Sequence, residues 1–250
     1  MLGAATLWLG AHYLRARALR RQEGWFRRYP IPKVALDAFD PRFRAGEFGP
    51  TRDAEVAFIG RGTMIVPGGT TDTESWVLAV LARGAHSLFE FGTCTGKTAY
   101  LWARNAAPDA VIATLTLPPD QLAAYQADSR DDPGATADAR DESRFTRFLY
   151  TGTEVEPRIR QLFGDSKTFD ESPWSGRCDV VFVDGSHAYS YVKNDAAKAL
   201  RMVRPGGVVL WHDYAHWNRG VYRALNELAR EVPLVHLAGT SLVGHRRSAA

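Results

Sequence analysis

The chain has 250 residues, 45% of them hydrophobic, a formal net charge of +3 and two cysteines. That content fills the core of one large domain, or of one domain with an extension, and it speaks against a disulfide framework or a cysteine-based zinc site. The near-balanced charge gives no reason to expect a nucleic-acid partner, although residues 1–52 carry ten Lys/Arg against four Asp/Glu and the remainder is net negative.

The chain starts "MLGAATLWLGAHYLRARALRRQ". The apolar stretch ends near His12, too short to span a bilayer, and no basic residue precedes it as a secretory signal requires. Arg15, Arg17, Arg20 and Arg21 suit an anionic lipid surface while Leu2, Leu7, Trp8 and Leu9 insert. The same amphipathic stretch suits a helix packed on its own domain or on a partner subunit. Expectations are therefore a cytoplasmic protein, with peripheral membrane contact through residues 1–22 or a homo-oligomer contact as alternatives. Residues 23–70 are rich in Pro, Gly and Arg and read as irregular cover, which places a basic extension at 1–69 and the main domain at 70–250.

The regular part opens with "TTDTESWVLAVLARG", where Thr71 and Glu74 have capping-box spacing and Gly84 supplies a stop. Ser87–Phe91 reads as a strand, Gly96–Ala106 as a helix, Ala110–Leu117 as a strand and Pro119–Asp128 as helical. Residues 128–144 are polar, with six acids and three arginines, and read as a lid or a disordered insertion. Arg158–Phe163 and Cys178–Val183 read as strands. A helix over Ala188–Val203 is ended by "RPGG". Val208–Trp211 reads as a strand, Arg219–Glu231 as a helix and Val232–Leu237 as a strand. Strands alternating with helices predict a doubly wound, Rossmann-like α/β domain with a mostly parallel sheet covered on both faces.

The stretch "FEFGTCTGKTAY" is the strand–turn–helix junction at which such sheets bind ligands. As a phosphate-binding P-loop it is disfavoured, because only three residues separate Gly92 from Gly96 where four are needed. It is not a dinucleotide fingerprint either, since Cys94 occupies the middle glycine position that allows pyrophosphate approach. Glu90, just before the first glycine, repels a phosphate and suits a ligand with an ammonium group. S-adenosylmethionine, with a sulfonium and a zwitterionic amino-acid end, meets these conditions.

With "FGDSKTFD", "CDVVFVDGSHAYSYVKNDAAKAL" and "RPGGVVLWHDY" following in order, the chain resembles class I S-adenosylmethionine-dependent methyltransferases, and more closely the small-molecule methyltransferases grouped as methyltransferase family 24. The resemblance spans about Thr70 to Val243. It implies that Glu90, Phe91, Gly92, Thr93 and Gly96 surround the methionine part of the cofactor. It also implies that Asp165, with Ser166 beside it, meets the adenine amino group, that Asp184 lies at the cofactor's reactive end, and that the acceptor is a small molecule such as a sugar or polyketide. One departure stands out: the acid that usually holds the ribose hydroxyls is replaced by Thr116, which removes a charged hydrogen bond worth about 1–3 kcal/mol, or ten- to hundredfold in affinity. Asp120 is a candidate substitute. That departure keeps open a cofactor-binding or scaffold protein without efficient catalysis, and the P-loop resemblance keeps open a nucleotide hydrolase.

The reacting end is "VDGSH" and "WHDY", two strand ends that bring Asp184, His187, His212 and Asp213 to one rim. Two arrangements follow. Asp184 and Asp213 hold a divalent cation such as Mg²⁺, with His212 or His187 as a further ligand, although Tyr214 stands where metal-dependent relatives place Asn or an acid. Alternatively His187 acts directly as general base, as an imidazole of ordinary pKa is suited to do, and this second arrangement is the preferred reading. Asp195 reads as a solvated or capping charge.

Overall fold

The computed structural model describes residues 30–66, 69–132 and 134–249. The amphipathic stretch 1–22, with its membrane and partner readings, lies outside the described residues. Among the described residues no helix is long and apolar enough to cross a membrane.

Eight strands form one sheet: β1 Lys33–Val34, β2 Ser87–Phe91, β3 Val111–Thr116, β4 Ile159–Phe163, β5 Cys178–Val183, β6 Val203–Trp211, β7 Val235–Leu237 and β8 Val243–Arg246. Their order across the sheet is β1-β7-β8-β6-β5-β2-β3-β4. The pairs β2/β3, β3/β4, β2/β5 and β5/β6 are parallel, while β8 runs antiparallel to β6 and β7. The winding direction reverses between β2 and β5, so the crevice beyond their carboxyl ends is where this architecture binds ligands.

Alternating strand residues feed two cores. Leu88, Ile112, Phe182 and Leu210 meet helix α1 (Asp72–Ala82) and helix α2 (Lys97–Asn105) through Val77, Leu78, Leu81 and Trp102. Phe89, Phe91, Leu115 and Trp211 face the other way. There they meet helix α4 (Tyr189–Met202) and helix α5 (Arg219–Leu228) through Val192, Ala196, Val221 and Leu225. A fully buried Leu or Phe contributes about 1.5–3 kcal/mol, so these two layers hold the sheet ends in place. The described part of the extension joins them: Ile31 enters the second core, Phe43 and Ala54 enter the first, and β1 extends the sheet.

Helix α1 starts at the expected box, with Thr71 accepting from the Glu74 N–H and the Glu74 carboxylate accepting from the Thr71 N–H. Three expectations are corrected. Pro119–Asp128 is helical only as a 3₁₀ segment to Ala124, because successive prolines and a short polar run supply no apolar stripe. Within 128–144, residues Ala135–Ser143 form a helix, α3, whose Ala135 packs on Ala188 and Tyr191. "RPGG" ends α4 yet belongs to β6, which begins at Val203 and pairs with Cys178 across a register shift. Strand β8 gives no separate signal in the sequence and is fixed by pairing with β6 and β7.

Candidate active site

Gly92 follows β2 with φ +96°, and a Cβ there would lie 2.0 Å from the Asp184 carbonyl oxygen. The absent side chain therefore lets the turn after β2 touch the end of β5. A cavity of about 70 Å³ opens beside this contact, lined by Phe91, Gly92, Thr116, Asp165, Ser166 and Asp184 among others. Six of the residues the sequence assigns to the cofactor thus share one cavity. Thr116 is 8% exposed at the end of β3, and Asp120 is solvent-exposed and outside the cavity wall.

The other three turn residues are placed differently. Gly96, with φ +77°, allows close packing on Phe148 and Tyr150, whose atoms would lie 2.8 Å from its Cβ. Thr93 hydrogen-bonds Thr114 at 2.8 Å and accepts from Gln161 at 3.1 Å. Glu90 is 2% exposed and accepts from Thr114 Oγ1 at 2.6 Å. None of the three lines the cavity. Thr93 and Glu90 meet at Thr114 in a buried polar network beneath the turn.

Burial pushes the Glu90 pKa up to about 8; hydrogen bonds from Thr114 and Thr98 oppose the rise and the Asp184 charge adds to it. The folded protein thus holds the Glu90 proton more tightly than the unfolded chain, whose carboxyl has an ordinary value of 4.5. The resulting stabilisation is complete below about pH 4.5 and disappears as pH rises through about 8, at about 1.4 kcal/mol per pH unit. Urea unfolding between these limits should therefore show a loss of stability in the unaltered protein that Glu90→Gln reduces. Equal pH slopes for the two proteins would count against a proton on Glu90.

The rim is built by two adjacent parallel strands whose ends, Val183 and Trp211, are in register. Asp184 follows β5; His212 and Asp213 follow β6, with Asp213 at φ +58°, a left-handed conformation that Asp tolerates better than most residues. His212 Nδ1 lies 2.9 Å from Asp184 Oδ1 and 3.1 Å from Asp213 Oδ2, but aligned for a hydrogen bond to neither. Its Nε2 meets Glu74 Oε2 at 3.2 Å. His187 Nε2 lies 2.8 Å from Asp213 Oδ2 and 3.8 Å from Glu142 Oε1. All four residues read as the reacting end therefore come together.

Burial disfavours charge on both imidazoles, but the carboxylates outweigh it. Asp213, Glu142 and Asp184 push the His187 pKa up to about 9. His212 is held charged well above its usual range by Asp184, Asp213 and Glu74. Burial would raise the Glu74 and Asp213 pKa values, yet the paired histidines hold both below the ordinary carboxylate range. These carboxylates favour the protonated form of His187 near neutral pH, whereas a general base must be unprotonated.

Three further carboxylates join the site, two of them, Glu74 and Glu142, from outside the motifs. Glu74 completes the cap of α1, takes the backbone N–H and hydroxyl of Ser241, and meets His212. Only its capping role is visible in the spacing, because the His212 contact spans 138 residues of sequence. Glu142 on α3 lines the cavity and faces His187. Asp195, read as a solvated charge, is 2% exposed, accepts from Asn194 Nδ2 at 2.8 Å and lines the same cavity. Burial pushes its pKa up to about 6.

Asp184, His212 and Asp213 each present a donor atom within 4.8 Å of the others. The orphaned His212 Nδ1, buried between two carboxylates, is the polar atom a cation would satisfy. The Glu74 contact at Nε2 is the arrangement that orients a metal-binding imidazole and leaves Nδ1 free to ligate. The donors fit a divalent cation, and the imidazole nitrogen fits Mn²⁺, Fe²⁺ or Zn²⁺ better than oxygen-preferring Mg²⁺.

A family described as methyltransferase domain matches residues 89–214, half of the chain. Solved structures share the fold at low identity. A methyltransferase of Podospora anserina bound to S-adenosylhomocysteine aligns with TM-score 0.52 and 16% identity, over 73% of this chain and 81% of that one. A Corynebacterium glutamicum protein aligns with TM-score 0.50 and 13% identity, over 73% and 83%. The O-methyltransferase TomG of Streptomyces achromogenes, solved with S-adenosylmethionine, gives 0.49 and 19%, over 72% and 82%. No curated protein matches the chain.

Proposed function

Since the chain belongs to this family of methyltransferase domains, we propose that it transfers the methyl group of S-adenosylmethionine to a hydroxyl of a small molecule. The observation that carries the reading is the cluster of Asp184, His187, His212 and Asp213, joined to the cavity beside Gly92 through Asp184, which lines it. Methyl transfer is an in-line displacement, so the acceptor oxygen approaches the methyl carbon opposite sulfur and loses its proton. A site lined by Gly92, Thr116, Asp165 and Asp184 offers backbone approach at one end and carboxylates at both.

A cation held by Asp184, Asp213 and His212 would lower the pKa of an acceptor hydroxyl and fix its orientation. His187, held by Asp213 through Nε2, is the group beside this site that could take up the acceptor's proton, although the surrounding carboxylates favour its protonated form. Ligation needs His212 neutral, so metal affinity should rise with pH. The cavity of about 70 Å³ is well below the roughly 300 Å³ of a small ligand pocket. Helix α3, which contributes Ala139, Glu142 and Ser143 to its wall, is the element whose displacement admits the cofactor.

Calorimetric titration with S-adenosylhomocysteine tests the reading. Binding in the micromolar range, about −8 kcal/mol, is expected, and no heat at about 1 mM ligand would sink it. Binding without turnover of any hydroxylated acceptor would favour the scaffold alternative, and ATP binding the nucleotide hydrolase.

A further inference from the structure

We infer that the acceptor enters beside His187 and carries an anionic group, a phosphate or a carboxylate, that an arginine-lined pocket recognises; this rests on the methyl-transfer reading above. A cavity of about 280 Å³ has His187, Trp217 and Asn218 in its wall. It shares Asp132, Arg219 and Gly220 with a second cavity of about 410 Å³. Among the described residues Arg130, Arg219, Arg223 and Arg230 line this second cavity with two carboxylates, Asp132 and Glu227. Glu227 is already engaged, accepting from Tyr189 Oη at 2.5 Å and Arg223 Nε at 3.2 Å. With the Asp128 carboxylate that pairs Arg130 counted as well, four guanidiniums meet three carboxylates, an excess of one positive charge, and guanidinium forks match phosphate and carboxylate oxygens in pairs.

The pocket is built into the fold. On α5 the core takes Val221, Ala224 and Leu225, while Arg219, Arg223 and Glu227 recur at helical spacing on the opposite face. Gly220 sets that helix against the rim: a Cβ there would lie 2.1 Å from the His187 carbonyl oxygen and 2.6 Å from the Tyr189 nitrogen. The Tyr189 ring in turn carries the guanidinium of Arg223 at 4.2 Å and that of Arg130 at 5.3 Å. Arg130 is also held by Asp128 at 2.9 Å. Arg223 is thus oriented before any ligand arrives, which lowers the entropy lost on binding, whereas the Arg130 fork already meets both oxygens of Asp128. The joined cavities run from the arginines to His187, so an acceptor anchored by its anion places its hydroxyl at the rim.

The test titrates the full chain with pyrophosphate and, separately, with citrate, at low salt and without cofactor. One of the two should bind with Kd below about 1 mM. Its affinity should fall at least about tenfold in the Arg219→Gln/Arg230→Gln double variant, and it should weaken as salt is added. The tighter anion tells phosphate from carboxylate. No binding of either at about 10 mM, or equal binding by the double variant, overturns the inference. Should the double variant fail to melt cooperatively, Arg230→Gln alone, a change at an exposed side chain, is read instead. Unchanged affinity there overturns the inference equally. S-adenosylhomocysteine titrated into the same unaltered protein separates the two failures: its loss defeats the methyl-transfer reading, whereas loss of anion binding alone defeats only the pocket.

Discussion

Gly92→Ala is expected to abolish cofactor binding and to destabilise the fold by about 3 kcal/mol or more, combining overpacking with strain at positive φ. The backbone there has φ +96°, and the added methyl would sit 2.0 Å from the Asp184 oxygen and 2.5 Å from its carbonyl carbon. Neither neighbour is a flexible side-chain tip, so the collision is relieved only by parting the β2 turn from the end of β5. Those two segments are bonded by the Asp184 N–H to the Phe91 oxygen at 2.8 Å. Parting them also displaces the Asp184 carboxylate from His212. Urea denaturation and calorimetry with S-adenosylhomocysteine check both effects; an alanine variant with normal stability and affinity would show that the close approach is dispensable.

Asp213→Asn should lower turnover by about 10²–10⁴-fold, because it removes both a carboxylate of the proposed cation site and the partner that orients His187. Asn tolerates the left-handed conformation at φ +58° almost as well as Asp, so the backbone is spared and the charge alone is removed. The consequences run in two directions. The cation site loses one of its two carboxylates, and Mn²⁺ affinity should fall with it. His187 loses its hydrogen-bond partner at 2.8 Å, so its pKa should move down from about 9. An NMR titration of the imidazole, alongside metal titration and rate measurement, reads all three; a variant with unchanged turnover would remove Asp213 from the mechanism.

The two predictions differ in how far the sequence alone supports them. Gly92 and Gly96 look alike on paper, both in a short turn after an apolar strand. Folded, one touches the segment after β5 and the other touches Phe148 and Tyr150. Glu90 carries a charge suited to an ammonium, yet the pleat turns it away from the cavity and under the turn, where burial keeps its proton on. His187 is legible as a titratable residue near a strand end. Its pKa is not, because Glu142 and Asp213 lie 45 and 26 residues away along the chain.

What the sequence by itself determined is local and periodic. The capping box of α1, the alternation of apolar strands with amphipathic helices, and the placement of Asp184, His187, His212 and Asp213 after two strands follow from spacing that each segment carries within itself. The tertiary structure decided the rest. It brought Glu74 from a helix cap to His212, folded α3 over the cavity with Glu142, buried Asp195, and set Arg219 of α5 in one cavity wall with His187. These are contacts between segments far apart in the chain. Their energies depend on burial and on neighbouring charge, which no local pattern records.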